Sequence, residues 1–317
     1  MIRLPSIQPQ VDFAVLLRDA RTRFLQPALA NAIRSIDIRT VDSELAARVP
    51  ATALTEISAR GLRGELLFAT PCVIRADPQL VAYYRLVLGI SQKAFYGAGS
   101  GAGSFKMAEQ HGRLSASAEK SLDALCGALV ASAVTLLASM RSGDEARSTL
   151  HDLSLLTLGA QFRGGRNNKL GEAGASQVFA LLRDIVSGSI IKVGDRSIEI
   201  RNAAKRKVVI EFAADPDIVI RAEMKPGQFR QVIAIEIKAG TDFSNIHNRL
   251  GEAEKSHQKA RAADFQECWT VINVRLKDAA SPSTNRFYQL AKLELRKGAG
   301  YEDFRDRVIS LTGIKAK

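Results

Sequence analysis

The apolar positions change rhythm part-way along the chain. Across residues 11–36 they recur every three or four places (Val15, Leu16, Ala20, Phe24, Leu25, Leu29), the spacing of a helix with one buried face. Pro27 falls inside this run and predicts a kink or a division, because proline removes a backbone donor and crowds the preceding turn. A second helix is expected over 78–88, opening beside Asp77, and a long one over 115–140, amphipathic at first and apolar later. Its uncharged part, 124–140, is short for a membrane span and carries Gly127, Ser132, Thr135 and Ser139, so it reads as a buried helix. The Gly- and Ser-dominated segment 97–103 reads as a loop, either mobile and ligand-facing or a plain surface connection.

Beyond about residue 185 the period shortens. Residues 197–200, 208–212, 218–222 and 232–237 are short β-rich runs separated by charged or Gly/Pro-containing turns. A helix is expected over 248–263 and a further strand over 269–274. The pattern predicts a mixed α/β (α+β) chain. An α-rich region, 1–150, would precede a core, 151–317, in which a mixed β-sheet is flanked by helices; the boundary is soft and leaves room for one body.

Composition narrows the partners. Hydrophobic residues at 46% and charged residues at 25% are ordinary for a folded globular protein. Lys and Arg number 45 against 33 acids, a net charge of +12 with pI near 9.8, which favours a polyanionic partner such as nucleic acid. Contact with anionic lipid, or a merely basic surface, are the other readings. Cys72, Cys126 and Cys268 are far apart and in no CxxC spacing, which argues against a disulfide framework or zinc site and fits a reducing cytoplasm. No HExxH pair and no GK[ST] phosphate loop occur, so no nucleotide cofactor is expected. The N-terminus lacks the apolar core of a signal peptide, and no membrane partner is expected.

The most informative line runs from Val232 to Lys238, Val-Ile-Ala-Ile-Glu-Ile-Lys. Side chains alternate along a strand, so Glu236 and Lys238 share one face while Ile235 and Ile237 pack on the other. A second acid, Asp217, follows Asp215-Pro216 and opens the apolar run Ile218-Val219-Ile220. The polar turn around Lys225-Pro226-Gly227 suits a hairpin that brings Asp217 beside Glu236. Two carboxylates and the backbone carbonyl of Ile237 are oxygen ligands suited to Mg²⁺. Such a metal would stabilise charge on a scissile phosphate and acidify water, with Lys238 to orient or deprotonate that water. In-line attack would leave a 5′-phosphate.

Further candidates flank this set. Asn248, Arg249, Glu252, Lys255, His257 and Lys259 bring donors and acceptors suited to phosphates and base edges; a solvated helix face is the other reading. Arg163, Arg166, Asn167, Asn168 and Lys169 surround Gly164 and Gly165, which would let the backbone approach a ligand, as in a phosphate clamp or base reader. A helix is expected to begin near Glu172, which would cap it or serve as an auxiliary acid. Ser91, Gln92, Lys93 and Tyr96 form a polar cluster that fits either DNA contact or a plain helix terminus. His111, His151 and Trp269 are read as structural.

Residues 236–260, EIKAGTDFSNIHNRLGEAEKSHQKA, together with 84–96 and 158–169, resemble the PD-(D/E)xK type II restriction endonucleases, in particular the XcyI-like group. The resemblance spans most of the chain and implies the restriction-endonuclease-like core. It also implies homodimers that use Mg²⁺ to cut double-stranded DNA at CCCGGG after the first C. Asp217, Glu236 and Lys238 match the catalytic positions; Ala239 stands where the motif commonly has glycine, and Gly240 follows it. The fold often carries an extra acid on a helix, the role considered for Glu172. Two other readings stay open: a repair or recombination nuclease, and a DNA-binding module that has lost catalysis. The intact acid–acid–lysine set argues against the second of these. The absence of a helicase or ATP-binding motif favours a self-contained cutter of a restriction-modification system. A double-strand break at a palindrome needs two centres related by two-fold symmetry, hence the homodimer.

Overall fold

The two rhythms of the sequence become helices and sheet in a computed structural model that describes the chain apart from residues 1, 3, 5, 141–144, 241–245, 274–285, 316–317 and the side chains of 246 and 247. The last residue of the expected strand 269–274 lies outside the described residues. The chain forms two compact units, Met1–Gly165 and Arg166–Lys317.

The first unit is helical, with no strand among its described residues. Its helices are α1 (Gln8–Arg23), α2 (Gln26–Arg34), α3 (Ile38–Arg48), α4 (Ala51–Ala59), α5 (Pro71–Ala76), α6 (Val81–Val87), α7 (Gln92–Phe95), α8 (Lys106–His111), α9 (Ala116–Lys120), α10 (Leu122–Ser139) and the start of α11 (Ala146–Ile185). The expected helix over 11–36 is divided at Phe24–Leu25. Pro27 falls in the first turn of α2, where its missing N–H removes no helical bond. The expected helix over 115–140 likewise breaks at Ser121, between α9 and α10.

α10 is long and apolar enough to cross a membrane by length and composition alone. Its Leu122, Cys126, Leu129, Ala133 and Leu137 enter the unit's core, while the opposite face, with Gly127, Ala128, Ser132 and Thr135, is exposed. The expected buried helix is therefore buried along one face only, and small or polar residues cover the other.

A buried charge network ties this unit together. The Arg85 guanidinium is fully buried and donates to both carboxylate oxygens of Glu109, at 2.9 and 2.7 Å, to Gln161 Oε1 and to the Ile90 carbonyl. Gln92 Nε2 and the Tyr96 hydroxyl also donate to Glu109. Every charge here has a partner, which is the condition for keeping an ion pair out of water.

The second unit is built on seven strands: β1 (Ile190–Val193), β2 (Ser197–Arg201), β3 (Lys207–Phe212), β4 (Ile218–Lys225), β5 (Gln228–Lys238), β6 (Glu267–Ile272) and β7 (Arg286–Gln289). They lie in sequence order; β1 to β5 are antiparallel, and β5, β6 and β7 are parallel. A parallel connection needs a crossover, and α12 (Ile246–Ala262) supplies it between β5 and β6. The chain closes with α13 (Leu290–Glu294) and α14 (Ala299–Thr312).

β5 is central and its segment Val232–Ile237 is buried throughout. Ile233, Ile235 and Ile237 join one core with Leu182 of α11 and Phe304 and Val308 of α14. Trp269, Tyr288 and Phe304 pack edge-to-face there at 5.0–5.4 Å. On the other face Ala234, Ala260 and Cys268 pack together, small residues that let α12 approach the sheet.

Candidate active site

The turn between β4 and β5, with Gly227 at a φ of 76°, sets a register that pairs Ile218 with Ile235. Asp217 and Glu236 thus come together at the strand ends. The Ile237 N–H donates to Asp217 Oδ2 at 2.7 Å and fixes that carboxylate. Glu236 is only 7% exposed. Its Oε1 receives Lys238 Nζ at 2.9 Å, and its Oε2 lies 2.8 Å from Ser256 Oγ of α12. A carboxylate buried alone would be strongly destabilising, so these two partners make the position tenable.

α12 runs antiparallel to β5 and presents one stripe of side chains to its end. Arg249 lies against Gly240, Glu252 reaches Lys238 at 3.4 Å, and Ser256 touches Glu236. Lys259 holds Asp215 at 2.6 Å. Spacings of three and four place these residues on one helix face. Ser256 Oγ also lies 2.5 Å from Asp215 Oδ1, so one hydroxyl sits between two carboxylates and its single proton serves one at a time.

The charges respond to this crowding. Burial and the neighbouring Glu236 push the Asp217 carboxyl up to about 6, against the pull of the Ile237 N–H. Burial pulls Lys238 down, but the Glu236 and Glu252 carboxylates outweigh it and hold the ammonium above its ordinary value. Lys259 and Ser256 hold Asp215 below the usual carboxylate range. The site therefore combines an acid that resists ionising with a lysine that stays charged.

The other sequence-derived candidates fall differently. His257 is fully buried and its Nε2 lies 3.1 Å from the Trp269 carbonyl, which can only accept. Burial also lowers its pKa, so it is a neutral imidazole with no surface for DNA, and that expectation does not hold. Residues 163–169 are expected as a glycine-bearing clamp ahead of a new helix near Glu172, but all of them lie inside the continuous helix α11. Arg163, Asn167, Asn168, Lys169 and Glu172 are exposed along it, and Arg166 is half-buried. Glu172 caps nothing. Gln92 is held in the Arg85–Glu109 network, whereas Lys93, Asn248 and Lys255 are exposed side chains without a described ion pair.

Sequence reasoning missed Ser256, Asp215 and Gly174. Gly174 of α11 is buried where a methyl would stand 2.3 Å from Ala239 Cβ, so the helix crosses the end of β5 in direct contact. Its spacing gave no hint of this role.

A mixed sheet between helices, with two acids and a lysine at adjoining strand ends, is consistent with a restriction-endonuclease-like fold. The chain belongs to the XcyI restriction endonuclease family, whose model matches residues 15–315. It is 49% identical to the type II restriction enzyme XcyI of Xanthomonas campestris pv. cyanopsidis, over 100% of this chain and 97% of that protein. It is 48% identical to the type II restriction enzyme Cfr9I of Citrobacter freundii, over 99% and 98% of the two. It is a type II restriction endonuclease.

Proposed function

We propose that this enzyme cuts both strands of CCCGGG after the first C, with Mg²⁺, as a homodimer, and that Asp217, Glu236 and Lys238 are its active site. The observation that carries the reading is the convergence of Asp217 and Glu236 beside a charged lysine at the end of β5. The sequence CCCGGG rests on the likeness to the XcyI-like group.

The donor set fits a hard divalent cation. Asp217 is pushed up to about 6 partly by its proximity to Glu236, a repulsion that a bound cation would relieve. No group of three or more His, Cys, Asp or Glu side chains suited to a metal occurs among the described residues, so the backbone, water and DNA must complete the shell. Mg²⁺ favours that composition because it keeps several waters. Asp217, Glu236 and the Ile237 carbonyl would hold it. Bound there, it supplies charge stabilisation at the scissile phosphate and a more acidic water.

The protein's own groups do the rest. Lys238, held charged by Glu236 and Glu252, donates hydrogen bonds to the attacking water and to the charge that develops on the phosphate. Its position beside Glu236 suits it to orient that water. Ser256 keeps Glu236 in place, and the Ile237 N–H does the same for Asp217.

Run-off sequencing of phage DNA digested in Mg²⁺ tests the reading. Discrete cuts after the first C of CCCGGG, with 5′ overhangs, are expected. Cuts at another sequence would remove the site assignment; a smear would favour a repair-type nuclease.

A further inference from the structure

Arg249 stands out from the other cations around the site. Lys238 and Lys259 are paired to carboxylates, yet Arg249 has no ion pair among the described residues, and its Nη1 is shielded from solvent with no hydrogen-bond partner. A shielded guanidinium N–H without an acceptor is costly, and such a group in a folded protein calls for a reason. Its position is also unusual. A methyl added to Gly240 would stand 2.3, 2.4 and 2.5 Å from Arg249 Nη1, Nη2 and Cζ. Three nearly equal distances mean that the guanidinium lies face-on against the bare backbone of Gly240, two residues beyond Lys238.

We infer that Arg249 binds a backbone phosphate of the DNA at the point of cleavage, and that Gly240 is glycine because any side chain there would displace this guanidinium. The inference rests on the nuclease reading above and assigns one phosphate contact within it. Position supports the assignment: Arg249 shares its helix stripe with Glu252, which touches Lys238, so a phosphate beside Lys238 lies along this face of α12. Planar guanidinium N–H pairs match two phosphate oxygens, a fit that an ammonium cannot reproduce. The flat seat on Gly240 removes rotamers that an arginine on an open surface would sample, so less freedom is lost when the phosphate arrives.

The two residues offer a paired test. The clashing atoms at Gly240 are the far end of a flexible side chain, so Gly240→Ala moves the guanidinium and spares the fold. Arg249→Ala, Arg249→Lys, Gly240→Ala and the Arg249→Ala/Gly240→Ala double variant are compared with wild type in single-turnover cleavage of a cognate duplex. Binding is measured in Ca²⁺ with a normal duplex and with one carrying an uncharged methylphosphonate at the scissile position. Each single variant should lower cleavage by about 10- to 100-fold, the lysine variant included, and the double variant should lose no more than Arg249→Ala alone. The methylphosphonate should weaken wild type but change Arg249→Ala much less. Additive losses in the double variant, or equal methylphosphonate penalties in wild type and Arg249→Ala, would overturn the assignment. If wild type cuts a sequence other than CCCGGG, only the site assignment fails, and the same variants on that sequence decide the phosphate contact. If wild type cuts no DNA in Mg²⁺, both fall.

Discussion

Asp217→Asn is expected to stabilise the metal-free enzyme while destroying its activity. The Asp217 carboxyl sits at about 6 because burial and the Glu236 charge both oppose its ionisation. A folded-state value above the unfolded one means that the folded protein binds the proton more tightly. The resulting stability is fully present below the ordinary value of 3.8 and is lost as the pH rises through about 6. At neutral pH the wild type therefore carries a penalty that the neutral amide lacks. The rise sets a ceiling of about 3 kcal/mol, which solvent screening of a partly exposed carboxyl reduces to about 1–2 kcal/mol. The amide oxygen can still accept from the Ile237 N–H, so the local geometry is kept. In chelator at neutral pH the variant should melt about 2–8 °C above wild type, and the gap should shrink as the pH falls towards about 4. Scanning calorimetry across that range measures it, and added Mg²⁺ should raise wild type more than the variant. A variant that melts lower at neutral pH, or a gap independent of pH, would refute the electrostatic reasoning.

Three further outcomes follow from the packing. Ser256→Ala leaves Glu236 and Asp215 without their shared hydroxyl, and should cost about 10- to 100-fold in cleavage with a higher Mg²⁺ requirement; an unchanged dependence of rate on Mg²⁺ would remove Ser256 from the site. Arg85→Ala strands Glu109 in the helical unit and should cost about 3–5 kcal/mol in urea denaturation, whereas a loss below about 1 kcal/mol would mean that the network is not sealed from water. Gly174→Ala forces α11 and the Ala239 end of β5 apart, costing about 1–3 kcal/mol and slowing cleavage, while Gly171→Ala, where a methyl meets nothing, should do neither; equal effects would deny the close crossing.

Much of the site was legible in one strand. Val232 to Lys238 combines an apolar run with an acid and a base on one face, and the polar turn before it fixes which acid is opposite. These are local facts, and β4 and β5 formed where they pointed. α11 was less legible because Gly164, Gly165, Gly171 and Gly174 each weaken a helix by about 1 kcal/mol in isolation. The glycines read as a break in a helix that in fact runs on for 40 residues. The roles of α12 depended on its rotation against the sheet. His257 and Lys259 are both polar and nearly adjacent, yet one turns under the sheet with Ala253 and Ala260 and the other reaches Asp215. Ser256 was invisible for the same reason: a serine in a charged helix becomes a partner of Glu236 only once the register of helix on strand is known. β1 and β7, four residues each, are too short for a pattern to declare them.

The central claim is that Asp217, Glu236 and Lys238 together cut DNA. The most direct measurement is single-turnover cleavage of a CCCGGG duplex by wild type and Lys238→Ala, with Ca²⁺-supported binding of the same duplex measured alongside. Wild type should cut in Mg²⁺ and fall silent in chelator. Lys238→Ala should bind the duplex but leave it uncut. Cleavage by Lys238→Ala at the wild-type rate, or full wild-type activity in excess chelator, would contradict the account.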